Sequence, residues 1–385
     1  MLQRPIYLDN HATTPVDQRV LEAMLPYFCE VFGNPASNGH LFGWEAEEAV
    51  KSARETIAHI INATPAEIIF TSGATEANNL AIKGIAEAYQ HQGRHIVTVV
   101  TEHSAVLDPC AYLQSVGFDV TYLPVQADGL IDLSLLISSL RDDTILVSVM
   151  AANNEIGVLQ PIAKIGEICH DRQILFHTDA AQAIGKIPLD VQAMSIDLMS
   201  FTAHKIYGAK GIGALYVRRR QPRVNLAPQL HGGGQERGRR SGTLYVPQIV
   251  GMAKALEIAI ANQATEQQQI LQLRQHLWQR LQILDNICLN GHPTQRLAGN
   301  LNVSFRHIKG IDLLLALQPI AAVSSGSACA SAKVQPSHVL TALGHAPELA
   351  YASLRFGIGR FNTLAEIDRV ADQLIAVVGA LAIPI

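Results

Sequence analysis

Short apolar runs recur along the first half of the chain: Ile68–Thr71, His95–Val100, Val120–Val125, Ile145–Met150, Ile174–His177, Leu198–Phe201 and Ala214–Val217. They are brief and rich in β-branched and aromatic residues, which predicts buried strands. Between several of them the apolar spacing changes to three and four, as in Ala77–Gln90 and Ile162–Arg172, and predicts amphipathic helices. Alternating strands and helices predict an α/β domain with a mixed, mostly parallel sheet flanked by helices. A second pattern starts at Gln263–Leu284, which is Gln-rich but carries Leu and Ile at helical intervals. It reads as a long connecting helix into a smaller α+β domain, where Asn300–Phe305 reads as a strand and Ile311–Leu317 as a helix. The expected division is an N-terminal segment 1–15 joined to the small domain, a large domain 16–260 and a small domain 261–385.

Ligands of parallel sheets bind beyond the carboxyl ends of the strands. Thr75, His103, Asn154, Asp179 and Lys205 each follow shortly after a predicted strand, so the topology gathers them at one edge. Lys205 is the most informative of them, in Ser200-Phe-Thr-Ala-His204-Lys205-Ile-Tyr-Gly208. An amine at the end of a buried strand is poorly solvated, loses its proton near neutral pH and becomes a nucleophile toward aldehydes. Pyridoxal phosphate (PLP) chemistry needs such a lysine.

The neighbouring motifs carry two readings each. Thr71-Ser-Gly73-Ala74-Thr75 opens a helix after a strand and is either a phosphate cradle or an ordinary cap. Asp179 is either the carboxylate partner of a pyridine nitrogen or a helix cap, with Gln182 one turn on as a donor to the cofactor's phenolic oxygen. His103 either stacks on the ring and moves protons or bonds to backbone. Arg355, inside an apolar strand-like run, takes either a substrate carboxylate or an internal Asp/Glu. The glycine-rich basic run Gly232–Thr243 is either a solvated loop or an anion-binding arm that reaches a neighbouring subunit. Cys329 stands in Ser324-Ser-Gly-Ser-Ala-Cys329-Ala-Ser-Ala332, where small residues leave an exposed thiol, whereas Cys29, Cys110, Cys169 and Cys288 are expected to be inert packing.

Composition narrows the class. The chain has 385 residues, 48% hydrophobic and 16% charged, which suits an enzyme with a large core. A net charge of -4 gives no electrostatic case for nucleic acid or an anionic membrane surface. No signal-peptide core precedes Ile6, and the five cysteines are odd in number and scattered, so a cytoplasmic, reducing setting without a metal site is expected.

Tyr7-Leu-Asp-Asn-His-Ala-Thr-Thr-Pro15, Gly33-Asn-Pro-Ala-Ser37, Asn153-Asn-Glu-Ile-Gly157, the Lys205 segment, Arg237–Thr243 and Ser324–Ala332 together resemble one family. They look like the cysteine desulfurases of the class V aminotransferase family, in the IscS/NifS branch of PLP fold type I. The resemblance spans nearly the whole chain. It implies conversion of L-cysteine to L-alanine by a homodimer, with sulfur left on Cys329 as a persulfide for an acceptor or iron–sulfur scaffold protein. By the same resemblance Lys205 carries the cofactor and His103 is the stacking acid/base. Asp179 and Gln182 hold the ring. Ala74, Thr75, Thr202, His204 and the partner subunit's Thr243 hold the phosphate. Asn154 and Arg355 hold the substrate carboxylate. Thr202 stands where many relatives have Ser, Gln235 where His is common, and the chain ends at Leu381-Ala-Ile-Pro-Ile385, short of the extension with which longer relatives grip a cluster scaffold. A PLP lyase that releases pyruvate from cysteine or cystine without Cys329, and a scaffold that only supports a sulfur-transfer complex, are the competing readings.

Overall fold

The structure, a computed structural model, describes residues 4–325 and 335–381. After β1 (Ile6–Tyr7) come β2 (Ile68–Thr71), β3 (His95–Val99), β4 (Asp119–Leu123), β5 (Thr144–Ser148), β6 (Leu175–Asp179), β7 (Leu198–Thr202) and β8 (Gly213–Val217). The last seven form one sheet in the order β2-β8-β7-β6-β5-β3-β4, in which β3 to β7 run parallel and β8 is antiparallel to both neighbours. The expected strand Val120–Val125 stops at Leu123 because Pro124 has no N–H to give to a ladder.

Along these strands alternate side chains go to opposite faces. Ile96, Leu146, Leu175, Leu198 and Leu215 share one core with Leu80, Ile82 and Ile85 of helix Ala74–Tyr89. Val97, Val147, Phe176, Met199 and Ala214 share another with Val50 and Ile57 of helix Leu41–Ile60 and Leu256 of helix Val246–Leu281. Both faces are covered, as a parallel sheet requires, so polar residues collect at its ends.

The connecting helix begins at Val246, well before Gln263, and runs 36 residues to Leu281. The apolar stripe explains the early start: Ile249, Met252 and Leu256 pack in the sheet core, then Ile270, Leu277 and Leu281 in a second core. The expected boundary at 260 falls inside this helix. The second core is built on β9 (Ile287–Leu289), β10 (Asn300–Phe305), β12 (Ser324–Ser325) and β13 (Ser353–Gly357), in the antiparallel order β12-β13-β10-β9, and on helix Leu364–Leu381. β1 pairs in parallel with β11 (Ala321–Ala322), and Leu8 is fully buried in this core. Among the described residues no helix is long and apolar enough to cross a membrane.

β2 lies at the edge of the large sheet, where free backbone groups invite unwanted pairing. A buried ion pair covers them. Arg54 donates to both oxygens of Glu236 (2.8 and 2.6 Å) and to the Ile68 carbonyl (2.7 Å), while Glu236 accepts from the Phe70 N–H at 2.9 Å. Glu236 and Arg237 adopt φ of 50° and 59°, left-handed values imposed where the basic loop turns to deliver this carboxylate. Arg54→Ala strands Glu236 as a buried unpaired carboxylate. Denaturant unfolding should show a loss of about 3–5 kcal/mol; a loss within experimental error would mean that the pair does not hold the edge.

Candidate active site

The carboxyl ends of β2, β3, β5, β6 and β7 open into one pocket of about 620 Å³, a size suited to a cofactor with a small substrate. Ala74, Thr75, His103, Asn154, Asp179, Gln182, Thr202, His204 and Lys205 line it, and Arg355 reaches it from β13. Thr243 is exposed and does not line the pocket of its own chain. Cys329 lies outside the described residues.

Lys205 closes a short helical turn after β7. Its amine donates to the Ala12 carbonyl at 2.9 Å and to the His11 carbonyl, and its pKa is lowered to about 8 by burial and then by the Arg355 charge. His204 shares a hydrogen bond with Thr13 at 3.1 Å, and burial followed by the Lys205 charge lowers its pKa to about 4. The segment His11–Thr13 thus forms one wall of the pocket.

Asp179 is fixed from both sides. One carboxylate oxygen accepts from Asn78 at 2.7 Å and the other from the Ala181 N–H at 2.8 Å. No helix directly follows β6, so Asp179 closes a turn rather than capping a helix. His103 lines the pocket, and its Nδ1 accepts the Ala105 N–H at 3.0 Å as the cap of helix Ser104–Ser115, the backbone bond expected of it. Burial lowers its pKa, and the neutral ring keeps its proton on Nε2. Its one unprotonated nitrogen is Nδ1, so proton pick-up by the ring requires release of the helix cap.

Ser72–Thr75 leads into helix Ala74–Tyr89, whose N-cap residue, Gly73, makes no side-chain cap. A Cβ on Gly213 would stand 2.7 Å from Gly73 backbone atoms, so β8 and this loop touch backbone to backbone. Glu76 accepts the Ser72 N–H at 2.8 Å and pairs with Arg240 at 2.7 Å, which ties the loop to the basic arm. Across the pocket Arg355 donates to Asp9 at 2.7 Å, to Ser324 at 2.6 Å and to the Asn154 carbonyl at 2.8 Å. The internal acid is present: it is Asp9. Arg355 Nε and Asn154 Oδ1 are buried without partners among the described residues.

Four contributors were not singled out in the sequence: Asp9, His11, Thr13 and Asn78. Asn78 had a signal, being a polar residue on the buried stripe between Ala77 and Leu80. The other three lie in an irregular segment where no periodicity marks them. One cysteine departs from expectation. Cys110 and Cys169 are buried, and burial pushes the Cys110 thiol up to about 12, but Cys29 is exposed because it ends a short helix with no buried residue.

A sequence pattern of class-V aminotransferases matches residues 6–370. The chain belongs to that family. It is 56% identical to the cysteine desulfurase IscS of Neisseria meningitidis over 380 residues, 99% of this chain and 94% of that one. Among solved structures, a NifS-like protein superposes with a TM-score of 0.91 at 39% identity, over 98% of this chain and all of that one. The structure of SspA in complex with cysteine does so with a TM-score of 0.82 at 38% identity, over 93% of this chain and all of the other. The fold is that of PLP fold type I, and the family works with PLP.

The pocket fits that cofactor on its own chemistry. It offers a poorly solvated amine, a clamped carboxylate, an open helix N-terminus for phosphate and buried polar atoms, such as Asn154 Oδ1, that want a partner. Because only the neutral amine attacks an aldehyde, PLP uptake by the apoprotein should speed up about tenfold per pH unit up to pH 8 and level off above it. A rise that continued beyond pH 10 would mean an ordinary exposed lysine. Borohydride reduction should leave the cofactor on the peptide carrying Lys205; its recovery on Lys186 would refute the assignment.

Proposed function

We propose that the chain is a cysteine desulfurase that takes sulfur from L-cysteine, releases L-alanine and carries the sulfur as a persulfide on Cys329. The destinations are iron–sulfur clusters and other sulfur-containing cofactors, reached through an acceptor or scaffold protein. The observation that carries this reading is one pocket that joins the Lys205 amine and the Asp179 carboxylate to Arg355 at the rim where the Cys329 segment begins. The relatives named as cysteine desulfurases, and the SspA structure with cysteine, support the substrate.

Bound in the pocket, PLP supplies an electron sink for chemistry at the substrate's α-carbon. Lys205 would carry it at rest and, once freed, move the α-proton from its buried position. Asp179 would keep the ring nitrogen protonated, and Gln182 would donate to the phenolic oxygen. Thr75, Thr202 and His204, with the Ala74 N–H, would hold the phosphate. The Arg355 fork and Asn154 would take the substrate carboxylate. His103, capping its helix, would stack on the ring and offer its Nε2–H.

Both flanks of the Cys329 segment are anchored beside the substrate groups. Ser324 is bonded to Arg355 and Asp9, and Ser337 to Glu155, next to Asn154. Cys329 is five residues past Ser324, a reach of at most about 17 Å. Its thiolate would form the new S–S bond as the substrate C–S bond breaks, and the electron pair would leave with the three-carbon fragment, which is reprotonated to alanine. Cys329→Ser should keep PLP and bind cysteine but lose alanine formation by more than a hundredfold, about the worth of a nucleophile. Near-normal alanine would sink the mechanism, and undiminished pyruvate would point to a lyase.

The working unit in this reading is a homodimer with shared sites, in which the large and small domains divide within the long helix. Phe28, Phe32, Leu41, Phe42, Trp44 and Tyr245 are exposed, an apolar surface that a second copy would cover. Tyr245 stands two residues from Thr243 and packs edge-on to Phe28 at 6.3 Å. If Thr243 serves the neighbouring site, a mixture of Lys205→Ala and Thr243→Ala chains should rebuild one intact site per mixed dimer and recover PLP retention there. No recovery in mixed dimers would place Thr243 in its own chain's site or in none.

A further inference from the structure

Gln182 is held from behind by two side chains that the reaction does not use directly. Its Oε1 accepts from Lys186 Nζ at 3.3 Å and bonds to His11 Nδ1 at 3.0 Å, while its Nε2 donates to the His11 carbonyl at 2.8 Å. Lys205 donates to the same carbonyl. Lys186 lies four residues beyond Gln182 in the turn after β6 and, with Lys205, Glu266 and Arg360, lines a small cavity beside His11.

These contacts decide which way the amide faces. A carboxamide can be turned over at little intrinsic cost, so its surroundings choose the orientation. An ammonium offers only donors and a carbonyl only an acceptor. Turned over, the Gln182 N–H would meet the Lys186 ammonium and its oxygen would meet the His11 carbonyl, two repulsive contacts in place of two attractive ones. His11 completes the lock. Burial holds its ring neutral, a proton on Nδ1 serves Oε1, and Nε2 is buried without a partner among the described residues.

We propose that Lys186 and His11 are positioning residues that lock the Gln182 carboxamide with its oxygen turned away from the pocket and one N–H free for an anionic ring oxygen in front of it. The proposal rests on the reading of the pocket as a PLP site. Lys186 adds a cation behind the donor. The charged and titratable groups around it are Lys205, Arg355 and Glu266, with His11 and Arg360 beyond, and burial followed by the Lys205 charge brings its pKa to about 7. Near neutral pH the ammonium is therefore present in quantity.

The test is a pH titration of the visible absorption of the holoenzyme without substrate. Removing the donor and cation leaves the ring oxygen less stabilised, so the proton on the Lys205–cofactor nitrogen becomes harder to remove. Lys186→Met should move the absorption midpoint up by about one pH unit. Lys186→Gln, which can still donate to Oε1, should recover part of that shift, and His11→Ser should shift it in the same upward direction. In a Gln182→Leu background, Lys186→Met should change the midpoint by less than about 0.3 unit, because the group it acts through is gone. An unchanged midpoint in Lys186→Met and Lys186→Gln overturns the proposal. An equal shift in both backgrounds also overturns it, since Lys186 would then act as a bare charge. If Lys186→Met does not fold, Lys186→Gln and the Gln182→Leu/Lys186→Gln pair decide the same question. A wild-type protein that develops no visible band with PLP would strike the pocket reading itself.

Discussion

A cation placed where water cannot solvate it is the constraint from which the site follows. The Lys205 amine, just past β7, is largely shielded from water, which lowers its pKa to about 8 and leaves a share of it neutral and reactive. The same shortage of water acts on the groups around it: Lys186, His204 and His11 all bind protons less tightly for that reason. Arg355 adds a fixed positive charge, answered by Asp9. A phosphate and a carboxylate are what the open helix N-terminus and the Arg355 guanidinium of this pocket can hold.

The sheet puts the groups in register. Mostly apolar side chains, with a few hydrogen-bonded polar ones such as Ser148, His177 and Ser200, fill both faces of β3, β5, β6 and β7, so the polar residues past each strand gather at the carboxyl edge. Two parts of the pocket come from outside the sheet. Arg355 sits on β13 in the second core, and the His11–Thr13 wall belongs to a segment whose Leu8 is buried in that core. The site therefore lies at the seam between the two cores and exists only when both are formed.

The strands were legible because each is a short, continuous apolar run, and Lys205, Asp179, His103 and Asn154 were legible because they follow such runs. Only the polar Gln-rich half of helix Val246–Leu281 shows a distinct helical stripe, while the apolar half resembles any buried segment. The pairing of Arg355 with Asp9 bridges 346 residues and leaves no local trace. His11 was visible only as part of a familiar run; its contact with Gln182 spans 171 residues. Nothing in one dimension shows that the turn after β6 brings Lys186 beneath the pocket, against Gln182. The apolar neighbours of Cys29 suggest a core, but Leu25, Phe28 and Phe32 are exposed.

The edge strand β2 has one sheet neighbour, β8, made some 145 residues later, and the carboxylate that covers its other side, Glu236, comes later still. On the ribosome this means that β2 has no strand to pair with until most of the large sheet has been synthesised. The nascent chain carries a naked, hydrophobic Ile-Ile-Phe edge through that interval, so the vulnerable stage in the life of this protein is its birth, when it is most in need of shielding from other chains.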